Sequence, residues 1–395
     1  MKNINRRKFI KTTAMSAAAL TTATTLSNCD TSTLIPDSKG KYMGDFSAPK
    51  LEIIRTAFIG VGARGSGHVK SISKLEGVEV VAICDLFENN VLKSSKLAEE
   101  TGLGERHKNI AKYWGEKDKW KLMIEELRPD AVFISTNWNN HAAMAIHSME
   151  NGAHAFVEVP MAVTLEDMWK IINTSEETQK HCMMMENVNY GRDELMYLNM
   201  CRKGVIGELL HAEAAYIHDL RFQMRQEERG TGSWRTYHYA NGKGNLYPTH
   251  GLGPVAQYMN LGRKEDTFES IISYSSPARG RKLYAEKNYS KEHKWNQLDY
   301  QNGDMSTSII KTTKGKTIMV QWDETSPRPY TRHNLVQGTK GTLAGFPTRV
   351  ALEGGFERVT KDHHSWIKGD ALAQLYEKYD HPLYKRLNQK TKNSG

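Results

Sequence analysis

A glycine-rich turn between an apolar run and a helix-forming segment constrains the fold of this chain most strongly. Residues 55–65 contain three glycines at GxGxxG spacing, Gly60, Gly62 and Gly65. In a strand–turn–helix unit, the first glycine permits a sharp turn, the second lets backbone N–H groups approach a pyrophosphate, and the third lets helix and strand pack closely. The helix N-terminus then faces the anion. The turn therefore predicts dinucleotide binding, with a glycine turn in another kind of α/β protein as the alternative.

An acidic residue follows the next apolar run, where a dinucleotide-binding unit needs one. Residues 78–84 are mostly apolar, and Asp85 follows them, twenty positions after Gly65. A carboxylate at this position accepts hydrogen bonds from both ribose hydroxyls and repels a 2′-phosphate. We therefore predict NAD, rather than NADP, as the cofactor.

The composition is typical of a globular protein, with 39% hydrophobic and 25% charged residues, and 395 residues suffice for two domains. The net charge is +9, but Lys and Arg are spread along the chain apart from a lysine-rich tail. We therefore expect no nucleic-acid partner. The four cysteines, Cys29, Cys84, Cys182 and Cys201, show neither metal-ligand spacing nor a disulfide framework, so we predict no metal site.

The N-terminal segment, residues 1–49, is interpreted as a targeting signal and linker. Residues 5–11 form a twin-arginine pattern, and the apolar stretch at 12–26 is too short and too polar for a stable membrane span. We expect the twin-arginine machinery, which carries folded proteins, to export the chain. Residues 26–29 resemble a lipobox, although Asn28 before the cysteine is unusual. A periplasmic protein and a lipoprotein anchored to the membrane at Cys29 therefore both stay open.

Apolar strands alternate with helical segments from residue 51 to about residue 187, which predicts a parallel sheet with helices on both faces. Thr164, with an acid three positions later, predicts a helix N-cap. A polar and aromatic loop is expected at 137–141, at the carboxyl end of the strand at 131–136, where ligands of such sheets bind.

Four residues of that loop are candidate nucleotide contacts. We expect Trp138 to cover the nucleotide and Asn139, Asn140 and His141 to hydrogen-bond it. The alternative is an ordinary turn in which His141 caps the next helix.

From about residue 51 onward, these motifs resemble the Gfo/Idh/MocA oxidoreductase superfamily. That resemblance implies an α/β fold with an N-terminal Rossmann dinucleotide-binding domain over residues 50–189. It also implies a C-terminal α/β domain over 190–395, with an open, largely antiparallel sheet that forms the floor of a sugar site. Residues 204–209 resemble the entry into the second domain, and residues 210–217 its first strand.

Two departures from the superfamily pattern concern residues that its dehydrogenases use. Glu-Lys-Pro at the end of the fifth strand is replaced by Glu158, Val159 and Pro160, so the lysine ammonium is absent. In the glycine-rich segment at 242–254, Pro248 takes the place of the usual Asp and Leu252 that of the usual His, while His250 is displaced from it. A plain alcohol dehydrogenase would therefore lack two of its usual groups.

The same departures resemble glycoside hydrolase family 109, the NAD-dependent α-N-acetylgalactosaminidase-like enzymes, which twin-arginine export also suits. The shared motifs are Ala-Arg in the phosphate turn, Trp-x-x-His, Glu-Val-Pro, Met-Glu-Asn-Val-Asn-Tyr and Tyr-Pro-Thr-His. They stand here at residues 63–64, 138–141, 158–160, 185–190 and 247–250. Chains of that family usually continue into a Gly/His-rich segment and a closing helix, so we expect this C-terminus to be truncated.

The resemblance to family 109 implies two sets of contacts. The implied nucleotide contacts are Ala63, Arg64, Asp85, Trp138, Asn139, Asn140, His141, Glu158, Val159 and Asn187. The implied sugar contacts are Tyr216, Arg235, Tyr247, Pro248, Thr249, His250 and Tyr330. Arg235 would hold an acetamido carbonyl or, alternatively, pair with an acid such as Asp219.

The chemistry implied by the resemblance differs from the usual pair of flanking carboxylates. The hydroxyl at sugar carbon 3 is oxidised by NAD⁺, a base removes the acidified proton on carbon 2, and the aglycone leaves by elimination. Water then adds and the hydride returns, without net redox change. His250 is the first candidate for the base and Tyr330 the second. The alternatives are that His250 hydrogen-bonds substrate or caps a helix, and that Tyr330 stacks on the sugar.

Three functions therefore stay open. An NAD-dependent glycosidase acting on N-acetylgalactosaminides or related glycosides is favoured. A periplasmic NAD-dependent sugar dehydrogenase or oxidoreductase would need net NADH production or a second substrate, and a non-catalytic protein would bind NAD without turnover. A homo-oligomer is compatible with each of the three.

Overall fold

The computed structural model describes residues 40–101, 103–262, 266–357, 360–361 and 364–392. The twin-arginine pattern, Cys29 and the last three residues lie outside the described residues. The chain divides into two compact units. One contains the chain up to Val157 together with Met161–Met183, and the other contains Glu158–Pro160 and the chain from Met184 onward.

The first unit is built on a six-stranded sheet. Its elements are β1 (Ile54–Ile59), α1 (Ala63–Ile72), β2 (Val78–Asp85), α2 (Glu88–Glu99), β3 (Ala111–Trp114), α3 (Lys119–Leu127), β4 (Ala131–Ile134), α4 (Trp138–Glu150), β5 (His154–Val157), α5 (Leu165–Thr178) and β6 (Cys182–Met184). The strand order is β3-β2-β1-β4-β5-β6, and β1 pairs in parallel with both β2 and β4. This is the order of a doubly wound dinucleotide-binding sheet, which confirms the predicted fold class.

The central strands of this sheet are buried because helices cover both faces, which is why they read as nearly continuous apolar runs. All four residues of β4 are buried, and Val132 and Ile134 are fully so. From α4, Ala145 and Met149 pack into the same core. Gly60 follows the last residue of β1, and Asp85 is the last residue of β2, so both lie at the carboxyl edge of this sheet.

The helix boundaries test two local predictions. The N-cap at Thr164 is confirmed, because its Oγ1 accepts a hydrogen bond from the Asp167 N–H at 3.1 Å. The loop predicted at 137–141 is wrong, because α4 begins at Trp138 with Asn137 as its N-cap residue. The Asn137 side chain makes no cap hydrogen bond, but Ala142 and Ala143 are strong helix formers, and the helix extends back to Trp138.

The second unit is built on an eight-stranded sheet. Its elements are α6 (Arg192–Arg202), β7 (Leu209–Ile217), α7 (Thr231–Asn241), α8 (Thr249–Tyr258), β8 (Phe268–Ser275), α9 (Gly280–Asn288), β9 (Ser306–Thr312), β10 (Thr317–Asp323), β11 (Leu335–Gly338), β12 (Gly341–Ala344), β13 (Arg349–Leu352), β14 (Ile367–Lys368), α10 (Leu372–Tyr379) and α11 (Pro382–Lys392). The order is β14-β13-β12-β11-β7-β10-β9-β8. Strands β7 and β10 pair in parallel, whereas the other pairs are antiparallel, which confirms a largely antiparallel sheet.

The core of the second unit lies between one face of this sheet and helices α6 and α8. Alternate residues of β7, Ala212 and Ala214, are fully buried in that core. Small residues at these positions let a helix approach the strand closely, and α8 makes such an approach at Gly251. A Cβ on Gly251 would lie 2.4 Å from the backbone nitrogen of Ala215. The contact fixes the N-terminus of α8 beside the end of β7.

Among the described residues, no helix combines the length and the apolar character that crossing a bilayer requires.

Candidate active site

The glycine turn of the first unit has the geometry that a dinucleotide needs. Gly60 has a φ of 78°, and a Cβ there would lie 2.8 Å from the Ser135 carbonyl oxygen. A Cβ on Gly65 would lie 1.9 Å from the Gly60 carbonyl oxygen, so strand and helix touch at this glycine. By contrast, the space around Gly62 is open to 4 Å. The turn therefore fits a pyrophosphate approaching the backbone at Gly62.

Helix α1 presents its N-terminus at the same place. Its N-cap, Gly62, has no side-chain cap, and the first turn carries no acidic residue. The predicted contacts Ala63 and Arg64 are exposed in that turn. The first turn therefore offers backbone N–H groups and a guanidinium to an anion, as an NAD pyrophosphate requires.

Asp85 lies at the end of β2, but its carboxylate is already engaged. Oδ2 accepts from the Val61 N–H at 2.8 Å, and Oδ1 accepts from the Phe87 N–H at 3.0 Å and from Asn90 Nδ2 at 3.1 Å. A carboxylate offers about four acceptor positions. Asp85 can therefore accept one ribose hydroxyl directly, and a second only if one of these three donors moves away.

The residues predicted to surround the nucleotide as a loop occupy the first turn of α4. Trp138 and His141 are buried, with 2% and 1% exposure, and His141 Nε2 lies 3.1 Å from the Thr136 carbonyl oxygen. Asn139 and Asn140 are exposed. The two amide side chains are thus available to a ligand, whereas Trp138 and His141 are held in the protein interior.

The remaining predicted nucleotide contacts, Glu158, Val159 and Asn187, belong to the second unit. Val159 is 2% exposed, and its carbonyl oxygen accepts a hydrogen bond from the Tyr247 hydroxyl at 3.3 Å. Asn187 is exposed, immediately after Glu186. The Glu-Val-Pro segment is therefore joined directly to a residue predicted to bind sugar.

The second unit brings four predicted sugar contacts into one aromatic cluster. The Tyr216 ring centroid lies 4.9 Å from that of Tyr247, 5.1 Å from that of His250 and 6.1 Å from that of Tyr330. Tyr247 and His250 are 5.0 Å apart. Tyr330 is 43% exposed, so the cluster has an open side where a sugar ring can stack.

His250 lies in the first turn of α8, after Pro248 and Thr249, and its Nδ1 is paired with the carboxylate of Glu186. Both side chains are buried, with 7% and 4% exposure. The N-cap of α8 has no side-chain hydrogen bond, so the alternative in which His250 caps this helix is wrong. The pairing partner Glu186 was not predicted, although its Met-Glu-Asn motif was recognised. Its position directly after a strand of the sheet was the only available signal.

Arg235 on α7 lies against the same cluster, with its guanidinium carbon 5.4 Å from the Tyr247 ring centroid. Asp219 accepts two hydrogen bonds from the Arg221 guanidinium, at 2.9 and 2.8 Å, whereas the acid that acts on Arg235 is Glu324, so the alternative in which Arg235 pairs with an acid stays open. Burial alone would lower the pKa of Arg235, but the neighbouring Tyr239 and Glu324 raise it. Arg235 is therefore a permanent cation in the wall of the cluster.

The structure adds two further polar groups that the sequence did not reveal. His218 Nε2 lies 2.9 Å from the Tyr216 hydroxyl, and burial, with help from Arg235, lowers the pKa of His218. Arg332 is buried and donates to Glu194 Oε1 at 2.6 Å.

Burial raises the pKa of Tyr330, and the nearby Arg332 opposes that rise. Tyr330 is therefore a neutral phenol near pH 7, and His250 is the better candidate base.

No group of three or more His, Cys, Asp or Glu side chains in the described part of the chain is arranged to hold a metal ion. The chemistry of the cluster therefore rests on an imidazole paired with a carboxylate, phenol hydroxyls and a guanidinium. Such a set can bind a polar ring by stacking and hydrogen bonding, and can transfer a proton through His250.

Two family models cover most of the chain. Residues 190–395 match "Glycosyl hydrolase 109, C-terminal domain", and residues 54–186 match "Oxidoreductase family, NAD-binding Rossmann fold". The chain belongs to glycosyl hydrolase family 109. It is therefore a glycoside hydrolase that binds NAD on a Rossmann fold, and its membership favours the glycosidase prediction over the dehydrogenase alternative.

Named relatives agree with this membership. Glycosyl hydrolase family 109 protein 1 of Akkermansia muciniphila is 60% identical over 347 residues, which cover 88% of this chain and 71% of that protein. The protein named alpha-N-acetylgalactosaminidase of Shewanella oneidensis is 51% identical over 397 residues, which cover 100% of this chain and 84% of that protein.

A solved structure of another activity shares the fold. Scyllo-inositol dehydrogenase from Lactobacillus casei, with bound NAD(H) and scyllo-inositol, has a TM-score of 0.56 and 13% identity, covering 86% of this chain and 90% of that one. At this identity the likeness shows the fold alone, that of the Gfo/Idh/MocA oxidoreductases.

Proposed function

We propose that this family 109 protein hydrolyses N-acetylgalactosaminides, with His250 as the base that removes the proton from sugar carbon 2. The observation that carries the proposal is the pairing of a buried imidazole with Glu186 inside a cluster of three tyrosine rings. The name of the Shewanella oneidensis relative, alpha-N-acetylgalactosaminidase, supports the choice of sugar.

The chain's own residues supply binding and proton transfer. Tyr216 and Tyr330 provide ring faces for the sugar, and Arg235 provides donors for an acetamido carbonyl oxygen. His250 takes the carbon 2 proton and holds it on its ring. Bound NAD supplies reversible hydride transfer at the carbon 3 hydroxyl, which is the chemistry that acidifies the carbon 2 proton.

The residues of the first unit proposed to hold NAD lie at the glycine turn, at the end of β2 and at the start of α4. Ala63, Arg64 and the first turn of α1 contact the pyrophosphate, and Asp85 accepts a ribose hydroxyl. Asn139 and Asn140, both exposed, offer further hydrogen bonds.

A panel of nitrophenyl glycosides tests the proposed function. The protein is assayed with and without added NAD⁺, while nitrophenol absorbance and the NADH band are followed together. We expect release of nitrophenol from the N-acetyl-α-galactosaminide without accumulation of NADH. Stoichiometric NADH with any sugar would instead establish a dehydrogenase. NAD binding with no turnover of any glycoside or free sugar would establish a non-catalytic protein.

We also propose export by the twin-arginine route, with Cys29 as a lipid anchor in the lipoprotein case. The support is the sequence alone, residues 5–11 and 26–29. Replacing Arg6 and Arg7 by Lys should retain the protein in the cytoplasm, as cell fractionation would show. Continued export of the double variant would contradict the proposal.

A further inference from the structure

Glu186 receives three hydrogen-bond donors although it is almost completely buried. Its Oε1 accepts from the Val188 N–H at 3.0 Å and its Oε2 from the Asn189 N–H at 2.8 Å, and His250 Nδ1 pairs with Oε1. The carboxylate is 4% exposed. Two backbone donors thus fix the orientation of the carboxylate, and the carboxylate in turn fixes that of the imidazole.

This arrangement selects one tautomer of His250. A carboxylate that only accepts requires the Nδ1 proton to lie between the two groups, so the neutral imidazole keeps its lone pair on Nε2. The His250 ring also lies against the rings of Tyr216 and Tyr247, at 5.1 and 5.0 Å. The ring is therefore held on two sides, with Nε2 as its basic atom.

We propose that Glu186 is a positioning residue of the catalytic reaction: it holds His250 as the Nδ1–H tautomer so that Nε2 accepts the carbon 2 proton, and it stabilises the imidazolium formed. This inference rests on the proposed function. A buried acid in this position performs the same two tasks in other acid–histidine pairs, where loss of the acid's charge at unchanged geometry lowers kcat by roughly 10⁴-fold.

Glu186→Gln tests the inference because a primary amide cannot satisfy the three donors. With its oxygen facing Val188 and His250, the amide NH₂ group meets the Asn189 N–H. With its oxygen facing Asn189, the NH₂ group donates to His250 Nδ1 and forces the proton onto Nε2. Either arrangement removes the accepting charge, at nearly unchanged side-chain volume.

We expect Glu186→Gln to lower kcat on the N-acetyl-α-galactosaminide by about 10²–10⁴-fold while KM changes little. Glu186→Asp keeps the charge and should retain more activity than Glu186→Gln. A folded Glu186→Gln protein with wild-type kcat would overturn the inference.

Asp266→Asn is the matched control. Asp266 is also buried, accepts the Lys314 N–H at 3.1 Å and pairs with a basic side chain, Lys316, at 2.8 Å. Its substitution should lower thermal stability and leave kcat nearly unchanged. An equal effect of both variants on kcat would reduce Glu186 to a structural role.

A direct observation of the tautomer needs neither turnover nor a stable variant. ¹⁵N NMR of histidine-labelled wild-type protein, with His250 assigned by its absence in His250→Gln, should show a protonated Nδ1 and an unprotonated Nε2 in the neutral form of the ring. The opposite tautomer would overturn the inference. If the expected tautomer is seen but no N-acetylgalactosaminide is cleaved, the proposed function fails, and the role of Glu186 in that reaction fails with it, although the pairing stands.

Discussion

A Cβ on Gly251 would lie 2.4 Å from the backbone nitrogen of Ala215 and 2.6 Å from its carbonyl oxygen. Helix α8 therefore touches the backbone of β7 at this glycine. His250 precedes the contact on α8, and Tyr216 follows it on β7. The distance between the candidate base and the Tyr216 ring is thus set by backbone packing, not by side-chain choice.

Gly251→Ala should displace α8 from β7 and lower both stability and turnover. Overpacking of this kind costs roughly 1–3 kcal/mol, which thermal or urea denaturation would measure. Gly67→Ala is a suitable control, because the space around Gly67 in α1 is open to 4 Å and alanine is the better helix former. A Gly251→Ala protein of wild-type stability and activity would show that α8 can move without consequence.

Asp85→Ala should weaken NAD binding. A hydrogen bond to a carboxylate contributes about 1.5–3 kcal/mol, and the substitution also releases the Val61 N–H in the glycine turn. The NAD content of the protein after extensive dialysis, and titration calorimetry on protein freed of cofactor, would measure the loss. Asn90→Ala removes a competing donor from the same carboxylate and should bind NAD at least as tightly as the wild type.

His218 should make the folded protein less stable in acid. Its pKa is lowered on folding by burial and by Arg235, so the unfolded chain binds the proton more readily. The contribution of neutral His218 to the free energy of unfolding is therefore fully present above the pKa of the unfolded chain, near 6.5. It is lost as the pH falls through that value towards the folded pKa.

Urea denaturation at pH 7.5 and pH 5.5 would check this sign. The loss of unfolding free energy between the two pH values should be smaller in His218→Gln than in the wild type, since glutamine does not titrate. Other histidines with lowered pKa values, among them His154 and His333, remain in both proteins and cancel in the comparison. An equal loss in both proteins would contradict the assignment to His218.

Tyr330→Phe should retain most of the activity, whereas Tyr330→Ala should raise KM. Burial keeps the pKa of this phenol above its ordinary value, so it is not a base near neutral pH. Its ring contacts, 5.1 Å to His218 and 5.4 Å to Phe346 between centroids, survive in phenylalanine. A loss of kcat in Tyr330→Phe as large as that in His250→Ala would return the base role to Tyr330.

Features that depend on neighbouring residues could be predicted from the sequence, whereas those that depend on packing could not. The glycine turn at Gly60 and the N-cap at Thr164 follow from local spacing, and both appear as predicted. The loop expected at 137–141 failed because helix propensity extended α4 back to Trp138. The pairing of Glu186 with His250 joins positions 64 apart in the chain, and it depends on the packing of α8 against the short turn at Val188–Tyr190, whose backbone holds Glu186.

Deuterium incorporation would test the mechanism itself. If the aglycone leaves by elimination, the carbon 2 proton is lost and regained in each turnover, so reaction in D₂O should place deuterium at carbon 2 of the released sugar. A direct displacement assisted by two carboxylates would leave that position unlabelled. Mass spectrometry and ¹H NMR of the product would measure the label. His250→Ala should lower turnover by about 10²–10⁴-fold while NAD content stays near normal.

The deuterium content of carbon 2 and the rate of His250→Ala have to be read together, because a shielded imidazole can return the same proton to carbon 2 before that proton exchanges with solvent. His250 is only 7% exposed, so its ring proton should exchange slowly with solvent. We therefore expect carbon 2 of the released sugar to be partly labelled. A thioglycoside separates the cases further, since elimination depends little on protonating the leaving group and should still cleave it. Unlabelled product, an inert thioglycoside and a His250→Ala variant of near wild-type rate would together exclude both the elimination and the role of His250.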